Sequence, residues 1–359
     1  MTFAGVAEQN DAKQLLSAAL TDGPAHAYLL HGPPGVGKTE LALLFAAELL
    51  GDHARVERRT HPDLYILEPL GDQIRIDDIR TLRRDLHMRP FEASRRVYLV
   101  LGADTMNEDA ADALLKDLEE PPSYAVIVLI ASDLGPLPET IRSRCQLVPF
   151  RRLSEGAVRD EIRSRAPELS DEEVTALARV SAGRLDRAAR LLDPAAAQRR
   201  EALLGVARAV YLERGFDAAD AVQTLLAGIT ERGAEAKELA EESVALLELS
   251  AREAEQRVRR SQRGAERDEL LAALEELEWW YRDLVVTAAG AEQAAVHVDR
   301  LDDLRADATL ERLQDAERAC EIVRDVWREA EELQLSVPLA LEALLVRLQR
   351  ELGSMHVRG

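Results

Sequence analysis

The chain has 359 residues, 47% of them hydrophobic but only 4% aromatic, so its cores must be built mostly from Ala, Leu and Val. A net charge of −20 excludes a broad nucleic-acid-binding surface, which needs clustered Lys and Arg, though it leaves room for a local basic groove. The two cysteines, Cys145 and Cys320, lie far apart; no apolar run could span a bilayer, and Met1-Thr2-Phe3 opens no signal peptide, which together predict a soluble, reduced, cytoplasmic protein of two or three domains with no membrane partner.

In chain order, the first clear element is Ala27-Tyr28-Leu29-Leu30-His31, a short buried strand. It runs into Gly32-Pro33-Pro34-Gly35-Val36-Gly37-Lys38-Thr39, which fits the phosphate-binding pattern G-x-x-x-x-G-K-[ST] at every fixed position. Glycines let backbone N–H groups turn inward and approach phosphate oxygens without a Cβ in the way. Lys38 supplies a mobile positive charge to the β- and γ-phosphates, and the Thr39 hydroxyl can ligate Mg²⁺. The helix predicted over Glu40–Leu50 aims its positive dipole end at the same anion. ATP with Mg²⁺ is therefore the expected ligand; a loop that keeps its shape as an anion-free turn is the competing reading.

Further strands are predicted near 64–67, 97–101, 126–130 and 147–149, continuously apolar as in a parallel sheet covered on both faces. Between them, Ile76–Met88 has helical spacing at Ile76, Ile79, Leu82 and Leu86, and Glu108–Glu119 reads as a helix stopped by Pro121-Pro122. Residues 1–150 thus read as an α/β P-loop domain. From Arg151 strand signals cease. Residues 151–198 predict a small helical lid with a turn at Ser181-Ala182-Gly183, and 199–352 an all-α domain, with 353–359 as a disordered tail. Within the long helices, Ala251–Asp268 is dense in charges of both signs and reads as a solvated face. Trp279-Trp280-Tyr281 is expected to pack the helical core.

The strand Val97-Tyr98-Leu99-Val100-Leu101 runs into Gly102-Ala103-Asp104. A working P-loop ATPase places an acid at or near the end of this strand, to order the metal and the attacking water. Here the chain has Leu101 and Gly102. The loop is built to hold a nucleotide, but the strand is poorly equipped to cleave one.

Several strings point further. His26-Ala27-Tyr28-Leu29 precedes the loop, and His61-Pro62-Asp63 precedes a strand. Ala103-Asp104-Thr105-Met106 leads into Ala113-Leu114-Leu115-Lys116-Asp117-Leu118-Glu119-Glu120-Pro121-Pro122, and Leu137-Pro138-Glu139-Thr140-Ile141-Arg142-Ser143-Arg144-Cys145-Gln146 follows. Together they resemble the bacterial DNA polymerase III clamp loader, an AAA+ family, and most of all its delta-prime branch. The likeness is strong over residues 3 to about 192, and Val337-Pro338-Leu339-Ala340-Leu341-Glu342-Ala343-Leu344-Leu345 is similar to the family's C-terminal collar helix.

The resemblance implies an AAA+ domain, a helical lid and a collar that joins subunits. It implies a role in DNA replication beside gamma/tau and delta subunits of a polymerase holoenzyme, with the sliding clamp and primer-template DNA met through the assembled complex. It also implies that Arg144, in Ser143-Arg144-Cys145, is an arginine finger reaching ATP on a neighbouring subunit; the competing role is a local salt bridge. Departures from the pattern count as much. Leu101 and Gly102 stand where motor subunits carry Asp-Glu, and Asp104 falls in the loop beyond, where a compensating metal role is the weaker alternative. Ser132 falls in the slot of a nucleotide-sensing polar residue. The lid arginine expected after Gly183 is displaced: that slot holds Asp186, between Arg184 and Arg187. Gly51–Thr60, where many relatives insert a four-cysteine zinc module, contains no cysteine, so no zinc is expected. The implied function is a stator that binds ATP with little or no hydrolysis of its own and lends Arg144 in trans. An ATP-hydrolysing gamma/tau-type motor is the alternative, and a P-loop ATPase outside replication a more distant one.

Overall fold

The computed structural model describes residues 3–69, 73–245, 250–332 and 335–352. Its apolar runs become five strands: β1 (Ala27–His31), β2 (Leu64–Leu67), β3 (Arg96–Leu101), β4 (Ala125–Ala131) and β5 (Gln146–Pro149). All pair in parallel, in the order β2-β3-β4-β1-β5. Every residue of β4 is buried, as a strand covered on both faces requires. β1 lies between β4 and β5, with Tyr28 opposite Val128 on one side and Gln146 on the other. The carboxyl ends of β1, β3 and β4 therefore share one edge, where open parallel sheets bind their ligands.

The helices interleaved with these strands are α1 (Asn10–Asp22), α2 (Lys38–Leu50), α3 (His53–Glu57), α4 (Ile76–Leu86), α5 (Glu108–Glu119) and α6 (Glu139–Arg142), followed by α7 (Glu155–Arg165). The α/β P-loop architecture is the one expected. α5 starts under Asn107, whose side chain accepts from the Ala110 N–H at 3.0 Å, and stops before Pro121 and Pro122. α4 ends two residues earlier than its periodicity predicts. Pro90 disfavours helical backbone at Arg89, and the N–H groups just beyond are drawn away by Asp63. That carboxylate is fully buried and accepts from Phe91 at 2.7 Å, Glu92 at 3.0 Å and Ala93 at 2.9 Å. Burial opposes its ionisation, but the three N–H groups outweigh burial and hold its pKa below the ordinary carboxylate value. Asp63 thus stitches the start of β2 to the turn after α4, beside the buried Arg96 guanidinium that is bonded to Asp85 at 2.7 Å.

Among the described residues no strand follows Pro149. The remaining helices are α8 (Asp171–Val180), α9 (Leu185–Leu192), α10 (Pro194–Leu212), α11 (Ala218–Ala245), α12 (Ala251–Ala288), α13 (Leu301–Asp307), α14 (Leu313–Glu332) and α15 (Val337–Leu352). The chain divides into two compact units: residues through Arg165 together with Ala182–Arg187, and Ala166–Ser181 together with everything from Ala188. The expected disordered tail, 353–359, lies outside the described residues. Among the described residues, no helix is long and apolar enough to cross a membrane.

The core of the second unit is a helical seam. α12 buries Leu270, Leu274, Leu277, Trp280, Tyr281 and Leu284 at three- and four-residue spacing, and α15 buries Leu341, Leu344, Leu345, Leu348 and Leu352. Trp280 and Tyr281 are fully buried, as expected, whereas the first two turns of α12, Ala251 to Arg257, are almost wholly exposed. Beside Trp280 lies a polar cluster with no trace in local sequence. The His297 ring is fully buried, its Nδ1 2.8 Å from Asp283 Oδ2 and its Nε2 3.1 Å from Glu276 Oε1. Asp283 also accepts from the Val296 and His297 N–H groups, each at 2.8 Å, and bonds Arg282 at 3.1 Å. Glu276 is bonded by Arg200, which donates to Asp299 at 2.7 Å as well. Burial opposes the imidazolium, but the two carboxylates prevail and raise its pKa above the ordinary histidine value.

Two stability tests arise here. His297 carries a raised folded pKa, so its contribution is complete below the unfolded value of about 6.5 and is lost as pH rises through the folded value. Denaturant unfolding of the whole chain, followed by the fluorescence of Trp279, Trp280 and Trp327, should therefore show lower stability at alkaline pH than at pH 6. His297→Gln should cost about 3 kcal/mol at pH 6 and flatten that slope; an unchanged slope would show that the imidazole is not the titrating group. Asp63, by contrast, has a lowered pKa, so its contribution is present above the unfolded value of about 4 and is lost as pH falls through the folded one. Asp63→Ala leaves three N–H groups without their acceptor and should cost about 3 kcal/mol in urea unfolding at pH 7.

Candidate nucleotide-binding site

The octet Gly32–Thr39 joins the end of β1 to the start of α2, as its pattern requires. Gly32, Gly35 and Gly37 take φ of +137°, +65° and +93°, conformations that L side chains rarely adopt. Each also lies against a different part of the chain. A Cβ would meet Phe150 O at 2.3 Å from Gly32, Asp186 Oδ1 at 1.8 Å from Gly35, and Val6 Cγ1 at 2.9 Å from Gly37. The glycines thus serve packing as well as backbone approach to an anion. Pro33, Pro34 and Val36 complete the loop, with Val36 buried.

Lys38 is 6% exposed, and its Nζ donates to Gly32 O and Pro33 O, each at 2.5 Å. Burial pushes its pKa down to about 8, partly offset by the nearby charges of Asp104 and Asp186. His31, at the end of β1, is likewise held below its ordinary value, by burial and by the neighbouring Lys38 charge. Thr39 is half-buried in the first turn of α2.

At the end of β3, Leu101 and Gly102 stand where an acid would order a metal, and Gly102 adopts φ +64°. Asp104 follows in a single helical turn, Ala103–Thr105. Its Oδ2 accepts from the Ser132 N–H at 2.9 Å and the Asp133 N–H at 3.0 Å, which ties the turn after β3 to the end of β4. Ser132 meets this carboxylate through its backbone. Among the described residues, no three His, Cys, Asp or Glu side chains are grouped to hold a metal ion.

The turn before α9 closes onto the loop within the same compact unit. Leu185 N donates to Gly35 O at 2.7 Å, and Leu153 N donates to Gly183 O at 3.0 Å. Asp186 accepts a two-pronged bond from Arg184, Nε to Oδ1 at 3.1 Å and Nη2 to Oδ2 at 2.7 Å. Burial opposes its ionisation, but the Arg184 fork and the N–H groups that open α9 keep its pKa below the ordinary range. Arg187 is buried at 6%. The expected displacement of the lid arginine is thus accompanied by a carboxylate lying directly on the loop.

Sequence reasoning missed the strap at the other side. Glu8 and Gln9 both adopt left-handed backbone, φ +51° and +52°, which is strained for such residues. The strain is held by specific bonds. Gln9 Nε2 donates to Arg151 O at 2.7 Å and Val36 O at 3.3 Å, while its Oε1 accepts from the Arg151 N–H at 3.1 Å. Glu8 accepts from the Ser154 N–H at 3.0 Å and from its hydroxyl. Together with α7 the strap bounds a cavity of ≈ 680 Å³ that opens beside Val36 and Gly37, within the size range of small-molecule sites. No local signal in residues 4–9 announces this; Val36 lies 27 residues away, Arg151 142 and Ser154 146.

Arg144 sits between α6 and β5, an edge strand of the sheet. Its Nη2 is 2.5 Å from Glu119 Oε1 at the end of α5, and its Nη1 donates to Thr140 O at 2.9 Å. The side chain is one-third exposed.

Part of the chain is similar to known proteins. Residues 8–154 match the family model described as "DNA polymerase III, delta subunit". A DNA polymerase III subunit delta′ of Bacillus subtilis is 35% identical over 162 residues, covering 42% of this chain and 49% of that protein. The one of Pseudomonas aeruginosa is 40% identical over 136 residues, covering 34% of this chain and 42% of its own length. The chain thus spans about half the length of the curated relatives it matches. A solved structure of a DNA polymerase III gamma-subunit-related protein from Thermotoga maritima, 18% identical, covers 95% of this chain and 99% of its own, with a TM-score of 0.48. Residues 8–154, with their parallel sheet and intact phosphate loop, are thus similar to the DNA polymerase III delta-subunit family and to curated delta′ subunits.

Proposed function

We propose that the chain serves DNA replication as a delta-prime-type stator in a DNA polymerase III clamp loader. In this reading residues 151–198 form the lid and 199–352 the collar that joins gamma/tau and delta subunits. The sliding clamp and primer-template DNA are engaged through the assembled complex. The observation that carries the proposal is a complete phosphate loop beside a β3 that ends in Leu101 and runs into Gly102.

The residues present fit the phosphates of ATP better than they fit its metal. Gly35 and Gly37 allow N–H groups to face an anion, Lys38 would turn from the loop carbonyls to the phosphates, and Thr39 would offer its hydroxyl to Mg²⁺. A bound Mg²⁺ would supply neutralising charge to the phosphate oxygens. Cleavage needs more: an acid to order the metal and polarise water, and Leu101 and Gly102 cannot supply it. Asp104 is occupied in binding the turn at Ser132 and Asp133, which supports a structural role over a compensating one. Arg144 suits action on a neighbour's ATP, since a permanently charged fork stabilises charge spread over phosphoryl oxygens. In the single chain it is held by Glu119, an exposed pair that costs little to open.

A gamma/tau-type motor is the second reading, and the intact octet is the feature that favours it. Steady-state turnover separates the two. The purified chain should hydrolyse ATP at a rate indistinguishable from its Lys38→Ala variant; motor-like turnover that Lys38→Ala abolishes would overturn the stator reading. In a reconstituted loader, Arg144→Ala should leave assembly intact and depress DNA-stimulated hydrolysis, with a loss of about 10³-fold at the site it serves. An unchanged rate would remove the finger assignment.

A further inference from the structure

We infer that Asp186 determines the phosphate specificity of this site, disfavouring the terminal phosphate of a nucleoside triphosphate so that a diphosphate is held more tightly. The inference rests on the reading of Gly32–Thr39 as a nucleotide loop.

The turn Ala182–Arg187 belongs to the same compact unit as that loop and is bonded to it by Leu185 N to Gly35 O at 2.7 Å. Asp186 lies so close that a Cβ on Gly35 would fall 1.8 Å from its Oδ1 and 2.8 Å from its backbone N. A carboxylate therefore stands at the wall of the phosphate loop, where only a glycine leaves it room. Its charge is near enough to act on Lys38, the residue that would meet the β- and γ-phosphates.

Both Asp186 oxygens are also engaged by Arg184, whose side chain is only 12% exposed. The cation that this turn could offer a phosphate is thus neutralised inside the pair. A triphosphate brings more negative charge than a diphosphate to the same half-desolvated site. There, like charges a few ångströms apart repel far more strongly than in water. An arginine in the Asp186 position would favour the additional phosphate; the aspartate opposes it twice, by its own charge and by holding Arg184.

The test is calorimetric titration of the full-length chain with ADP and with ATP, each with Mg²⁺, for the wild type, Asp186→Asn and Arg184→Ala. Asp186→Asn keeps the shape and removes the charge, so it should raise affinity for ATP relative to ADP by about tenfold. Arg184→Ala leaves the carboxylate unpaired and should move the ratio the other way. Thermal unfolding reports whether each variant retains the wild-type fold, and should Asp186→Asn fail to fold, the direction of the Arg184→Ala shift decides alone. A wild type that prefers ATP, or a ratio that neither substitution moves, overturns the assignment while leaving the nucleotide loop standing. If no protein binds either nucleotide at millimolar concentration, the loop is an anion-free turn and the nucleotide reading falls first, taking this inference with it.

Discussion

The phosphate loop can hold its shape only because three of its residues lack a side chain, and the first unit is organised around that constraint. Gly32, Gly35 and Gly37 sit in left-handed backbone and are each pressed by a separate segment: Phe150 beyond β5, Asp186 at the start of α9, and Val6 in the N-terminal strap. The loop is therefore a junction as much as a cradle. Its rigidity comes from below, where β1 is hydrogen-bonded on both sides and the neighbouring β4 is buried throughout. A side chain at any of the three positions would displace a different neighbour. The glycines would be needed for folding even in a chain that held no nucleotide, so the octet marks fold more securely than activity.

The charges around that junction are each held by a separate set of partners. Lys38 is buried and bonded to the loop carbonyls of Gly32 and Pro33. β3 ends in Leu101 and is followed by Gly102, Asp104 is drawn to the end of β4, and Asp186 faces the loop from the turn before α9. Two carboxylates thus lie near Lys38, and both are engaged by other donors: backbone N–H groups for Asp104, Arg184 for Asp186. Such an arrangement supplies counter-charge to the buried lysine.

The second unit rests on different physics. Its helices are held by an apolar seam at three- and four-residue spacing, and by a buried cluster that joins Arg200, Glu276, Asp283 and His297. A buried charge without partners would cost several kcal/mol, so the cluster survives only because each member is satisfied by another. Its value is geometric. It fixes the short segment Val296–Arg300, which includes a single 3-10 turn, against α10 and α12, where apolar contacts alone would allow sliding.

Local chemistry made much of this readable in advance. The five strands, the end of α5 at Pro121 and Pro122, the phosphate octet and the lack of an acid at Leu101 and Gly102 all depend on neighbouring residues, and so sequence by itself determined them. Of the three aromatics expected to pack the helical core, Trp280 and Tyr281 are buried, while Trp279 is half-buried. Tertiary structure alone decided the strand order, the strap through Glu8 and Gln9, the attachment of Asp104 to Ser132 and Asp133, the closing of Asp186 on Gly35 and the enclosure of His297. Each of these joins residues far apart in the chain, and no periodicity or spacing encodes which distant donor an acceptor will meet. The position of Asp186 could be read from the sequence, but not that it would lie against the loop. That contact exists because a bond from Leu185 to Gly35 and the absence of a Cβ bring the two segments together.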